Sequence, residues 1–132
     1  MSGTWDTRKI TEFVKGVLGC GCPDYVFEKI EVGRVAKGVL PLDATRINVG
    51  NTLLIYIVRP ASGGELRDAI GKMVSVGRND RDVHGFNRFR LVIAGDEVKL
   101  APDAAAAKFS VETGGDEKMH FHCVTIESVR GL

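Results

Sequence analysis

The pattern of apolar and polar residues changes along the chain from helical spacing to strand-like spacing. Across residues 8–18, apolar side chains recur at every third or fourth position and charged ones take the opposite side, which predicts an amphipathic helix. Gly19 is suited to end this helix. Pro23 is suited to open a second short helix, because its φ is already near the helical value. The segment Cys-Gly-Cys-Pro at residues 20–23 is therefore predicted to link two helices.

After residue 31 the pattern becomes that of a β protein. The uninterrupted apolar run Leu53–Val58 predicts a central strand buried on both of its faces. Gly114-Gly115-Asp116 is typical of a hairpin turn between the last two predicted strands. The full set of predicted strands is Val32–Lys37, Ala44–Val49, Thr52–Arg59, Phe89–Ala94, Lys108–Thr113 and Lys118–Val129.

One further helix is predicted between the third and fourth of these strands. Ser62 and Glu65 have the spacing of a capping box, in which each side chain bonds the other residue's backbone N–H. The helix is predicted to end near Gly77, with a polar loop over residues 78–87. A strand–helix–strand order of this length favours a parallel strand pair with a right-handed crossover. Its predicted buried residues are Leu66, Ile70, Met73 and Val74.

These elements predict an α+β fold. We expect two N-terminal helices, followed by a mixed sheet of about five strands with at least one helix packed on it. Such a two-layer sandwich is compatible with a thioredoxin-like or a ferredoxin-like arrangement, an analogy that carries no function. No linker divides the chain, so residues 1–132 are expected to form a single domain.

Composition and charge narrow the classes of function. With 44% hydrophobic residues and a net charge of +1, neither sign of charge dominates, which argues against nucleic-acid and membrane-surface binding. Leu53–Val58 is the longest apolar run and is too short to span a membrane. The N-terminus lacks the pattern of a signal peptide, so a cytoplasmic location is expected. The three cysteines are then expected to be reduced.

Cys20 and Cys22 are the leading candidates for chemistry. A disulfide across one intervening residue closes a small, strained ring, which is easily reduced. Thiolates are also soft ligands that suit Zn, Cu(I) or an Fe–S cluster. A nearby helix N-terminus would lower the pKa of the closer thiol. The sequence thus predicts a small thiol protein that binds a soft metal or takes part in thiol redox chemistry.

His120 and His122 are candidates to complete such a site. Residues two apart on a strand share a face, so both histidines are expected on one face, with Phe121 and Cys123 on the other. Cys123 is therefore expected to be a core residue rather than a ligand. Only long-range folding would bring the histidines to the link between the two helices.

An alternative function is a non-catalytic binding module with structural cysteines. The strand-to-helix loop contains glycines, and a helix N-terminus attracts anions. The candidate residues for an anion or small-molecule pocket here are Arg59, Ser62, Gly63, Gly64 and Arg67. A protein partner or a small anionic ligand would fit this reading, and nucleic acid would not. No catalytic triad or carboxylate pair is evident, so the sequence leaves open whether the protein is an enzyme, and it does not give the oligomeric state.

Overall fold

A computed structural model describes residues 7–19, 24–35 and 38–130 of the chain. Within these residues, five strands form one sheet in the sequential order β1-β2-β3-β4-β5. The strands are β1 (Ile30–Arg34), β2 (Ala44–Val49), β3 (Leu53–Val58), β4 (Arg88–Ala94) and β5 (Met119–Val124). The α-helices are α1 (Thr7–Glu12), α2 (Gly63–His84), α3 (Glu97–Leu100) and α4 (Pro102–Thr113). A π-helical turn at Phe13–Val17 continues α1, and 3-10 turns lie at Asp24–Glu28 and Ile126–Val129.

The sheet is mixed, as predicted. β1, β2 and β3 pair antiparallel, whereas β3, β4 and β5 pair parallel. Every residue of β3 is buried, which confirms the prediction of a central strand covered on both faces. The α+β fold with a helix packed on a mixed sheet is therefore confirmed.

Alternation along β3 divides the core into two apolar layers. Leu54, Tyr56 and Val58 face α2 and α4, and Leu53, Ile55 and Ile57 face α1 and the two 3-10 turns. Helical segments consequently lie on both faces of the sheet, which adds a third layer to the two that the sequence predicted. We refer to these faces below as the α2 face and the α1 face.

The N-terminal helix follows its predicted amphipathic pattern except at Val17, an apolar residue that is 46% exposed. Ile10, Phe13, Val14 and Leu18 are buried against the α1 face. The N–H of Leu18 donates to the carbonyl of Phe13, five residues earlier, at 3.1 Å, and this widened turn keeps Leu18 on the buried side. Gly19 then adopts a φ of +67°, the left-handed conformation that ends helices. The end of α1 is thereby fixed against the sheet.

Helix α2 is longer than the sequence predicted. Its start is as expected, because the Ser62 hydroxyl accepts from the Glu65 N–H at 3.2 Å. Its predicted end at Gly77 is wrong, since the helix runs on to His84 and stops at Gly85, where φ is +73°. Gly77 serves close packing instead: a Cβ there would lie 2.5 Å from the Phe89 ring. Among the described residues, no helix is both long and apolar enough to cross a membrane.

The C-terminal hairpin prediction is also wrong. Lys108–Thr113 is the second half of α4 rather than a strand, and the buried residues of the helix, Ala105, Phe109 and Thr113, follow one another at intervals of one helical turn. Pro102 at the helix start and the alanines that follow favour this helix. β5 consequently pairs with β4 in parallel, and it ends at Val124.

The remaining strand predictions hold with one shift. Ala44–Val49 forms β2 with the predicted bounds, and Phe89–Ala94 forms β4 with Arg88 added at its start. β1 begins two residues before the predicted Val32, and it ends at Arg34, while residues 36 and 37 of the predicted strand lie outside the described residues. The shift leaves the pairing of β1 with β2 continuous, from Ile30 to Arg34.

Two glycines of α2 provide a matched test of this packing. Gly77→Ala is expected to lower the free energy of unfolding by about 1–3 kcal/mol, because the added methyl must displace the Phe89 ring. Gly71→Ala is expected to be neutral or to stabilise by up to about 1 kcal/mol, since its Cβ would meet only the Glu112 carboxylate at ordinary contact distance. Urea unfolding followed by circular dichroism measures both, and equal effects of the two substitutions would contradict the packing of Gly77.

Candidate functional site

The Cys-Gly-Cys-Pro link at residues 20–23 lies outside the described residues, so the structure does not place Cys20 or Cys22. It does place the residues that lead into the link. The carbonyl oxygen of Leu18 accepts a hydrogen bond of 3.2 Å from Nη1 of Arg90 in β4. Leu18 is two positions before Cys20 in the sequence. The chain therefore enters the link beside the middle of β4.

His120 and His122 share the α1 face of β5. Their neighbours Phe121 and Cys123 pack against the core of the α2 face, and Val124 packs against that of the α1 face. The predicted division of these residues between two faces is thus confirmed. It places both histidines on the same side of the sheet as Leu18.

Each histidine is held by an arginine of β4. Nη1 of Arg90 lies 2.7 Å from Nε2 of His122, and Nη1 of Arg88 lies 3.3 Å from Nε2 of His120. A guanidinium has no acceptor atom, so each Nε2 must accept and carries no proton of its own. We call Arg88, Arg90, His120 and His122 the arginine–histidine cluster.

Burial and positive charge keep the histidines of this cluster neutral. Burial is the largest cause that lowers the pKa of His122 to about 4, and Arg90 adds to the shift. The pKa of His120 is lowered in the same way by burial, Arg90 and Arg88. Burial and the charge of Arg88 also lower the pKa of Arg90.

Nε of Arg90 is buried and has no hydrogen-bond partner among the described residues. The N–H at Nε of Arg90 is therefore available to donate a hydrogen bond to an anion.

This arrangement disfavours the histidines as metal ligands. In each ring Nε2 already accepts from a cation, and a metal ion would add positive charge beside two arginines. No group of three or more histidine, cysteine or acidic side chains within the described part of the chain is placed to hold a metal. The cluster is better suited to stabilise a negative charge.

At the strand-to-helix loop, Ser62 and Arg59 of the predicted anion pocket make hydrogen bonds within the protein. Ser62 accepts from the N–H of Glu65, whose carboxylate accepts from the N–H of Ala61 at 3.0 Å, so the helix start is capped by its own residues. Arg59 donates to the carbonyl of Val129 at 2.9 Å. The glycines have separate roles: Gly63 packs closely against the backbone carbonyls of residues 99 and 100, whereas Gly64 and Arg67 are exposed.

Arg59 does share a cleft with another arginine. Arg34 and Arg59 both line a cavity of about 490 Å³, together with residues 41–43. Burial and the charge of Arg34 lower the pKa of Arg59. Asp43 lines the same cavity, so the cleft carries charges of both signs.

A second polar cluster, centred on Asp80 of α2, was not predicted. Its carboxylate accepts from Nε and Nη2 of Arg46, each at 2.8 Å, and from the Tyr56 hydroxyl at 2.6 Å. Nδ1 of His84 lies 2.8 Å from the same carboxylate. Asp80 and His84 lie in the segment 78–87 that was predicted to be a polar loop. Their spacing of four residues was the available signal, since it places both on one side of a helix.

Comparison with known proteins found no relative. The chain matches no protein-family model, no curated protein and no solved structure. The geometry of the two clusters is therefore the basis for a proposed function.

The neutrality of His122 leads to a pH prediction. Its pKa is about 4 in the folded protein and about 6.5 when unfolded, so its neutral form stabilises the fold fully above pH 6.5. That contribution is expected to be lost as the pH falls from 6.5 through 4. An NMR titration of the imidazole should give a midpoint near 4, and His122→Gln should flatten the pH dependence of unfolding in this range. A folded-state midpoint near 6.5 would contradict the assigned environment.

Proposed function

We propose that the protein is a small thiol protein in which Cys20 and Cys22 carry out thiol–disulfide exchange with a dithiol partner. The observation that carries this proposal is the hydrogen bond from Arg90 to Leu18, which anchors the start of the link to the arginine–histidine cluster. Binding of a soft metal by the two thiolates is the other chemistry that the Cys-x-Cys pair suits.

The charge of the cluster supports thiolate chemistry. A cysteine near cationic side chains has a lowered pKa, and the thiolate is the reactive form. Arg88 and Arg90 supply positive charge, and the two histidines add no negative charge because both are neutral at pH 7. A buried donor on Arg90 without a partner among the described residues would be satisfied by such an anion.

Stabilisation of a thiolate also gives the exchange a direction. A Cys20–Cys22 disulfide would be strained, and a stabilised thiolate is a good leaving group, so the oxidised protein would readily accept electrons. A partner thiolate attacks one of the two sulfurs, their S–S bond breaks, and the electron pair stays on the other sulfur as a thiolate. The partner's second thiolate then attacks the mixed disulfide. It attacks the partner's own sulfur, so the partner leaves as a disulfide and the electron pair of the broken bond stays on the link sulfur. The two link thiolates take up the protons that the partner's thiols gave up on ionising, which leaves Cys20 and Cys22 as a dithiol.

The metal alternative has less support from this geometry. With His120 and His122 held by arginines, the described residues offer no evident third and fourth ligand. The binding-module alternative is favoured by one observation, the paired arginines of the Arg34–Arg59 cleft. In that case the cysteines would have no special reactivity.

Alkylation rates test the proposal. In the reduced protein at pH 7, Cys20 or Cys22 is expected to react with iodoacetamide faster than Cys123, which is half-buried against the core. Arg90→Gln should slow that reaction, because it removes the charge of the arginine that bonds Leu18, two positions before Cys20 in the sequence. Arg88→Gln is the matched comparison and should slow the reaction less, since Arg88 lies on the same face but donates to His120 and to the backbone carbonyl of Glu117 rather than to Leu18. Mass spectrometry of digests gives the rate for each cysteine.

Two results would contradict the proposal. One is alkylation of Cys123 at least as fast as that of the link. The other is equal rates in the wild type and in Arg90→Gln, provided near-ultraviolet circular dichroism shows the variant to be folded. Elemental analysis of the purified protein separates the metal alternative, because a stoichiometric transition metal that is lost in the Cys20→Ser, Cys22→Ser double variant would favour it.

A further inference from the structure

The Asp80 cluster forms one wall of a cleft on the α2 face. The cleft has a volume of about 260 Å³ and lies between α2 and the β1–β2 side of the sheet. Its polar residues include Arg46, Tyr56, Asp80 and His84, and its apolar residues are Val35, Val39, Val76 and Val83. A concave apolar surface with a few converging polar groups is the usual form of a small-molecule site.

Asp80 holds the polar side chains of this cleft in place. Its carboxylate accepts two hydrogen bonds from Arg46 and one from the Tyr56 hydroxyl, and it lies 2.8 Å from Nδ1 of His84. The pKa of Asp80 stays below its usual range because hydrogen bonds from Arg46 and Tyr56 outweigh its burial, and burial raises that of Tyr56. Asp80 is thus ionised and Tyr56 protonated at neutral pH. The guanidinium of Arg46 is fixed before any ligand arrives, which lowers the entropy lost on binding.

Arg46 keeps part of its guanidinium available. Asp80 uses Nε and one N–H of Nη2, and the N–H groups of Nη1 have no hydrogen-bond partner among the described residues. The remaining edge of a guanidinium is matched to the two oxygens of a carboxylate. A structural role between strand and helix accounts for the bonds to Asp80 but leaves this edge unused.

The apolar side of the cleft is unusually exposed. Val83 is 67% exposed and Val39 is 39% exposed, although both are aliphatic. In β1, Gly33 is the register partner of Arg46, and a Cβ there would meet nothing within 4 Å, so no side chain from this position covers Arg46. An apolar ligand body would cover the valines while its charged end met Arg46.

From this geometry we propose that the cleft binds a small organic carboxylate, with its carboxylate on the outer edge of Arg46 and its apolar body against Val39 and Val83. The volume suits a compact ligand rather than a drug-sized one. The proposal is independent of the thiol function, because the cleft lies on the opposite face of the sheet from the arginine–histidine cluster.

NMR titration of the full ¹⁵N-labelled chain tests this site. Benzoate and butyrate are the probes, and benzyl alcohol and benzylamine are the neutral and cationic controls, all at constant ionic strength. We expect either carboxylate to shift the amide signals of Gly33, Val35, Val83 and His84, with much smaller shifts from the two controls.

A pair of exposed valines gives a matched test by mutation. Val83→Glu places a negative charge at the cleft while every residue of the Asp80 cluster is kept, and it should weaken carboxylate binding by about tenfold or more. Val111→Glu makes the same change at a residue of α4 that is 78% exposed and should leave binding unchanged. The proposal is overturned if neither carboxylate shifts the cleft signals, if benzylamine or benzyl alcohol binds equally well, or if Val83→Glu binds as tightly as the wild type.

Discussion

Burial of β3 on both faces is the constraint on which the rest of this structure depends. Each of its six residues is buried, so apolar cover is needed on two sides at once. The α2 and α4 helices cover one face, and the N-terminal helix covers the other. Removing six apolar side chains from water is the dominant favourable contribution in this region. The two polar clusters lie on opposite faces of the sheet, and Tyr56 of β3 joins one while Arg90 of β4 joins the other.

The two clusters differ in whether their charged groups have a counter-charge. Asp80 is saturated by donors on the α2 face, so charge there is balanced within the fold. On the α1 face, the hydrogen bonds of Arg88 and Arg90 within the described part of the chain go to neutral groups, the two imidazoles and the backbone carbonyls of Glu117 and Leu18, and the buried Nε of Arg90 has no partner there. A cationic group without a counter-charge is costly to bury.

Local sequence signals predicted most of the sheet but little of the site. The segments that form β2, β3 and β4 can be recognised as strands from the apolar residues within each segment alone. The second half of α2 was missed because its charged residues resemble a loop, and the interactions that keep it helical, such as Arg46 with Asp80, join residues 34 positions apart. α4 was missed in part because Lys108–Thr113 alternates like a strand. The shared face of His120 and His122 follows from strand geometry. Their arginine partners and the contact of Arg90 with Leu18, 72 residues away, depend on tertiary folding and have no local signal.

The sequential strand order has a consequence for how the molecule opens. β5 is bonded to β4 alone within the described sheet, and after Met119 its residues are only half-buried. A strand at such an edge can detach as a small cooperative unit while β1 to β4 remain paired. Detachment of β5 would take His120 and His122 away from their arginines. Slow amide hydrogen exchange is thus expected to persist at β3 while β5 exchanges through a lower-energy opening. The charge and hydrogen bonding of the arginine–histidine cluster would then depend on the opening of one edge strand rather than on the unfolding of the whole protein.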